Sequence, residues 1–237
     1  MLKNIDTNLW VAEQPLKYFG LEVGTRMTVI RFNHNKLMVI SPIYPEDKII
    51  QQLAQLGTVN YIISPNLYHH LFIAPFKKIY PDAELWATSG LEQKRSDLPI
   101  DKIFNDECSL QFLEQVEVSP VIGFNTLDVT GYSPLNEWVF FHTESNTLII
   151  TDIAYYFDAF SSPIMQLVTK LFGGYQQLRP SFLEKIATPD KEQVKQSIQR
   201  ILSWDFERVI MAHGSILEQD AKQQFKLGYE WFLGESI

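Results

Sequence analysis

The chain of 237 residues has one cysteine, Cys108, so no disulfide can form within it, and a reducing compartment is the natural reading. It has no cluster of basic residues longer than a pair such as Lys77-Lys78, and its formal charge is −8. A sequence-independent nucleic-acid binder needs a net basic face, so that class is excluded. The same shortage excludes a basic patch for anionic lipid. Long apolar runs are also missing. The longest stretch without Asp, Glu, Lys or Arg, from Ile49 to Phe76, is broken by Gln51, Gln52, Asn60, Pro65, Asn66 and a histidine pair, which excludes a membrane span. The opening Met1-Leu2-Lys3-Asn4-Ile5-Asp6 lacks the apolar core of a signal peptide, so the expected location is the cytoplasm. With no repeat, low-complexity tract or long linker, one domain over residues 1–237 is expected.

The apolar fraction of 46% and charged fraction of 20% are those of an ordinary globular chain. The first third is β-rich. Leu9-Trp10-Val11 is a short strand, and Met27 to Phe32 and Leu37 to Ile40 flank the polar turn Asn33-His34-Asn35-Lys36 as a hairpin. Ser41-Pro42 stops it, and Ile49, Ile50, Leu53 and Leu56 then recur at helical spacing. A strand follows from Val59 to Ser64-Pro65. Asn66 is the expected N-cap of the next helix, with Leu71, Phe72, Pro75, Phe76 and Ile79 as its apolar face. Glu84 to Ala87 is a further strand, and the alternation is that of an α/β protein. A second β-rich block holds Val116 to Val118, Thr126 to Val129, Glu137 to His142 and Thr147 to Ile150. An aromatic, helical segment follows from Tyr155 to Tyr175, for which burial in the core is the commonest outcome and a substrate-covering insertion or a homodimer surface the alternatives. A helix near Lys191 to Trp204, a strand from Phe206 to Met211 and a helix near Leu217 to Phe232 close the chain.

Chemistry-bearing residues stand at the strand ends. His69 and His70 follow the strand that stops at Ser64-Pro65, Asp152 follows Leu148-Ile149-Ile150-Thr151, and His213 follows Val209-Ile210-Met211-Ala212. Ligands of α/β sheets bind beyond strand termini, so these residues can converge. Three imidazoles and a carboxylate suit Zn²⁺, and also Fe²⁺ or Mn²⁺ with water completing the shell. Placed near a helix N-terminus, His69 and His70 would be kept neutral, the ligating form. Each has a blander reading: a histidine pair beside a cap, and Asp152 as a turn residue. His142 is read as a hydrogen-bonded turn histidine, His34 as an exposed loop residue and Cys108 as an inert thiol.

Two hairpin-bearing β halves, each followed by helices, with polar groups at the strand ends, resemble the metallo-β-lactamase superfamily, whose fold is a four-layer αββα sandwich. The superfamily run T-H-x-H-x-D-H is similar to Ser64-Pro65-Asn66-Leu67-Tyr68-His69-His70. Its G-H-T-P-G resembles Gly131-Tyr132-Ser133-Pro134-Leu135. Its bridging aspartate matches Asp152, and its last histidine, before a glycine, matches His213-Gly214. The resemblance implies that the first metal position has lost its ligands, which become Pro65, Leu67 and Tyr132. The second would keep His69, His70, Asp152 and His213.

It therefore implies a divergent metal-dependent hydrolase with at most one divalent ion on His69, His70, Asp152 and His213, acting on a small molecule. His69 is either the fourth ligand or a general base, because an imidazole is bulkier than the carboxylate it replaces. Tyr132 would orient substrate. Two alternatives stay open: a metal-free binding or scaffold protein on the same fold, and a mononuclear iron protein of redox or oxygen chemistry.

Overall fold

The computed structural model describes residues 1–18, 20–105, 115–128 and 131–237; Cys108 and Val129 lie outside them. The first half runs β1 (Lys3–Asp6), β2 (Leu9–Gln14), β3 (Lys17–Tyr18), β4 (Leu21–Glu22), β5 (Thr25–Phe32), β6 (Lys36–Ile40), α1 (Asp47–Leu56), β7 (Thr58–Ser64), α2 (Ile73–Ile79), β8 (Glu84–Ala87), α3 (Leu91–Lys94) and β9 (Lys102–Ile103). The second half opens with β10 (Val116–Val121), β11 (Asn125–Asp128), β12 (Gly131–Pro134), β13 (Glu137–His142) and β14 (Thr147–Ile149). It ends with α4 (Pro163–Leu171), α5 (Phe182–Ala187), α6 (Glu192–Leu202), β15 (Arg208–Ile210) and α7 (Ala221–Leu233).

Two sheets form the centre. One has the order β1-β2-β5-β6-β7-β8-β9 and the other β10-β13-β14-β15. Alternation along each strand explains why they stack. On β6, Leu37 and Val39 face the helices α1 and α2, while Met38 and Ile40 face the second sheet. On β13, Val139 and Phe141 turn to α6 and α7, while Trp138 and Phe140 meet Met38, Ile63 and Trp86 between the sheets. Three apolar layers result, which is the expected αββα sandwich. Strands β6 to β9 run parallel, as do β14 and β15, so the C-terminal ends of β6, β7, β14 and β15 carry Ser41, Pro65, Ile150 and Met211 toward one edge.

Three expectations are corrected. The helix after β7 does not start at Asn66: residues 66–72 form turns, and α2 begins at Ile73. Asn66 Oδ1 instead accepts the backbone N–H groups of Tyr68 (2.7 Å) and His69 (2.9 Å), an Asx-type turn that ties up the cap. Ile73 and Phe76 supply the buried face, Leu71 is exposed, and no helix N-terminus adjoins His69. Pro75, in the first turn of α2, needs no intrahelical N–H partner. Lastly, the aromatic segment does not bury its stripe. Met165 and Thr169 face inward on α4, whereas Phe160, Ile164, Leu167, Leu171 and Phe172 are exposed, Phe160 to 94%.

Candidate metal centre

The site is built by a carboxylate and two imidazoles from three strand ends. Among the described residues, His69, Asp152 and His213 are the group able to hold a metal ion, each offering one ligand atom within 4.8 Å of the others. His69 Nε2 lies 3.1 Å from Asp152 Oδ2, and His213 Nε2 lies 3.3 Å from Asp152 Oδ1. The imidazole centroids are 5.2 Å apart.

Each imidazole is held from behind. His213 Nδ1 donates to the carbonyl of Gly24 at 2.6 Å; a carbonyl can only accept, so Nδ1 carries the proton and Nε2 the free lone pair of the neutral ring. His69 Nδ1 meets the Ser41 hydroxyl at 2.5 Å. Anchoring one ring nitrogen so that the other points at a common centre is how metal-binding histidines are oriented. Behind His213, the buried guanidinium of Arg26 bonds the carbonyls of Met211 and Gly214 (2.7 Å for the latter) and pairs with Glu13 at 2.6 Å. Gly214 is required there. Its φ is +80°, and a Cβ would stand 2.2 Å from the Tyr156 carbonyl oxygen.

Asn66 and Glu137 hold Asp152. Asn66 Nδ2 donates to Asp152 Oδ2 at 2.8 Å, to Thr151 Oγ1 at 3.0 Å and to Glu137 Oε2 at 3.0 Å. Glu137, fully buried at the start of β13, accepts the backbone N–H groups of Thr151 and Asp152, both at 2.7 Å. Burial would raise the pKa of Asp152, but the flanking imidazoles outweigh it and hold the carboxyl well below its usual range. Burial would lower the pKa of His69, but the Asp152 and then Glu137 carboxylates raise it overall. Glu137 itself is raised, first by burial and then by repulsion from Asp152.

The other predicted residues lie elsewhere. His70 turns from the trio: its Nδ1 takes a hydrogen bond from Arg95 Nη1 at 2.9 Å, and burial, then Arg95 and Lys94, lower its pKa to about 4. Tyr132, on the β11–β12 ribbon, is 65% exposed. His142 Nδ1 bonds Ser145 Oγ at 2.7 Å at the far end of β13 from Glu137, as a turn histidine would. His34 is exposed in its loop. Pro65 and Leu67 help to hold the loop: Trp138 N–H donates to the Pro65 carbonyl (2.8 Å), Leu67 N–H donates to that of Leu135 (3.1 Å), and the Leu67 side chain packs on the core of the first half.

Sequence reasoning missed Ser41, Gly24, Arg26 and Glu137, and took Asn66 only for a cap. A weak signal existed for two of them. Ser41-Pro42 ends an apolar strand parallel to the one before His69, and Glu137 opens the otherwise apolar run Trp138-Val139-Phe140-Phe141. Tyr155 was read only as part of an aromatic stretch. Its ring lies 6.3 Å from that of His213, and burial, with Glu184 and Asp152 nearby, holds its phenol well above the usual range.

Solved structures similar to the chain include a metallo-beta-lactamase from Pontibacter korlensis, at a TM-score of 0.59 and 12% identity, covering 94% of this chain and 95% of that one. The metallo-beta-lactamase FIM-1 from Pseudomonas aeruginosa, solved in a mono-zinc form, matches at 0.60 and 10% identity, over 98% of this chain and 96% of that one. A metallo beta lactamase from Erythrobacter litoralis matches at 0.63 and 10% identity, over 94% and 92%. At such identities the likeness is one of fold. No curated protein matches. Residues 6–181 match the family model described as Domain of unknown function (DUF4336). The chain has the metallo-β-lactamase fold and belongs to the DUF4336 family.

Proposed function

We propose that the protein is a divergent metal-dependent hydrolase of small molecules that holds one divalent cation, zinc first among the candidates, on His69 Nε2, Asp152 and His213 Nε2. One observation carries the reading: two imidazoles with Nδ1 occupied turn their Nε2 atoms on one buried carboxylate. When the rings are neutral, His213 Nε2 presents a lone pair to a carboxylate oxygen 3.3 Å away. Two acceptors so close need a proton or a cation between them.

The donor set fits a cation. Two imidazoles and a carboxylate are ligand types that zinc takes, and one ligand atom from each of the three residues lies within 4.8 Å of the others. Three protein ligands with a fourth position open to water is the pattern of catalytic rather than structural zinc. When bound, the ion would supply a water acidic enough to act as a nucleophile near neutral pH.

The chain's own part is orientation and charge. Gly24 and Ser41 point the imidazoles, while Asn66 and Glu137 keep Asp152 in place. His70, whose ring is not in the group of converging ligand atoms, is left out of the ligand set. With Nε2 committed to the centre, His69 acts as ligand rather than base.

Metal analysis of protein purified without chelator, with melting curves on adding Zn²⁺, Fe²⁺ or Mn²⁺, tests the reading. Near-stoichiometric metal and a raised melting temperature are expected, both lost in His213→Ala. Absence of both from the unaltered protein would leave the metal-free binding protein standing. Iron as the bound metal would favour redox or oxygen chemistry over hydrolysis.

A further inference from the structure

Eight non-glycine residues among those described have positive φ, and seven are Asn, Asp, His or Gln at exposed or half-buried positions. The eighth is Ser41, with φ of +52° and 4% exposure, directly before Pro42. A buried serine has no intrinsic reason to adopt the left-handed region, which costs a side-chain-bearing residue on the order of 1–2 kcal/mol. The backbone has no need of a turn residue there either, because Ser41 N–H still continues the sheet to the Ile63 carbonyl at 3.0 Å. What the conformation achieves is the placement of Oγ, 2.5 Å from His69 Nδ1.

We infer that Ser41 is a positioning residue, held in a strained backbone conformation so that its hydroxyl accepts the Nδ1–H of His69 and turns Nε2 toward Asp152. The inference rests on the metal reading for its function, but its geometry stands without metal. His69 N–H, with carbonyl, is already tied to Asn66 and Ser64, so the ring has one torsional freedom left that matters: which nitrogen faces the carboxylate. A hydroxyl on Nδ1 decides it. The Gly24 carbonyl does the same for His213, but there a backbone atom does the work and no side chain could be changed to test it.

Four residues at position 41 separate the hydroxyl from the backbone. Ser41→Ala removes the hydroxyl and keeps the strain. Ser41→Gly removes both, since glycine enters positive φ freely. Ser41→Thr keeps the hydroxyl and adds strain through its branched Cβ. The expected result is a split. Zinc affinity, measured by competition with a chromophoric chelator, should fall roughly 10- to 100-fold in Ala and Gly and be largely retained in Thr, as for other groups that orient metal-binding histidines. The melting temperature of the metal-free protein should instead rank Gly above Ala and Thr below wild type. Affinity that follows stability across the four proteins would overturn the inference, as would full affinity in Ser41→Gly. If wild type binds no metal, the proposed function fails but this inference is still read from crystal structures of the metal-free proteins: His69 Nε2 should face Asp152 in wild type and Ser41→Thr and turn away in Ser41→Ala. An unchanged His69 ring in Ser41→Ala would refute it.

Discussion

Glu184 offers a test of how the second half of the molecule responds to pH. It is the third residue of α5, where its carboxylate accepts the Ser181 N–H at 2.8 Å while the Ser181 hydroxyl caps the helix in return. The side chain is buried, and burial raises its pKa from 4.5 to about 7, with the Asp152 carboxylate adding to the effect. A carboxyl whose pKa is higher in the folded state favours folding while protonated and loses that advantage as pH rises. Between pH 4.5 and about 7 the unfolded chain gives up the proton first, so stability falls across that window. At 1.36 kcal/mol per pKa unit, the difference corresponds to about 3 kcal/mol. Glu184→Gln keeps a side chain able to complete the capping box and has no proton to lose. Urea unfolding at pH 5 and pH 8 measures both proteins. Wild type should lose about 2.5 kcal/mol more than the variant on going from pH 5 to pH 8, because part of the effect is already spent below pH 5. His69, whose pKa is also raised, loses stability as pH rises through its folded value, so the difference between the proteins isolates Glu184. Parallel losses in the two proteins would refute the reasoning.

Glu137→Ala should be far more damaging. It strips an acceptor from the N–H groups of Thr151 and Asp152 and from the Asn66 amide inside a fully buried site. Buried donors left unpaired cost about 1–3 kcal/mol each, so a loss of about 3–5 kcal/mol is expected in thermal or urea unfolding; a loss under about 1 kcal/mol would show that water or another group replaces the carboxylate. On α4, Leu167→Glu alters an outward-facing residue that is 59% exposed. Its effect on the urea midpoint should lie within about 0.5 kcal/mol; a loss above 1 kcal/mol would show that this face is packed against something in solution.

Much of the fold was readable because alternation and helical spacing are local signals. β8 and β13 occupy the residues their composition suggested, and the β5–β6 hairpin closes around its polar turn. The α2 start was misjudged because Asn66 is equally suited to a cap and to a loop hub, and only tertiary partners choose between them. The outward stripe of α4 has the same period as a buried one, and periodicity cannot say which way a helix faces. At the site, His69, Asp152 and His213 were legible because they end strands. That His70 would turn to Arg95 was not, since neighbouring residues in a turn diverge by angles no pattern encodes. Ser41, Asn66 and Glu137 reach the site across 14 to 86 positions in sequence, through pairings that exist only once the sheets are assembled.

The two halves of the resemblance to the metallo-β-lactamases have fared differently, and the contrast bears on function. Where the family's first metal ligands would stand, Pro65 and Leu67 are apolar, and the loop is kept in shape by backbone bonds to Trp138 and Leu135. The buried polar residue between them, Asn66, turns its amide to Asp152 and Glu137. The second position was not simplified in that way. Its aspartate, itself costly to bury, is surrounded by two oriented imidazoles, an amide and a second buried carboxylate, and one of the orienting groups sits on strained backbone. Packing alone gives no reason to keep such a cluster, because apolar side chains of similar volume are usually as stable or more so than a buried ion pair. Two imidazoles turned on one buried carboxylate are the arrangement that the proposed single cation site requires. It also explains why removing Ser41 Oγ should weaken zinc binding while relief of its backbone stabilises the fold.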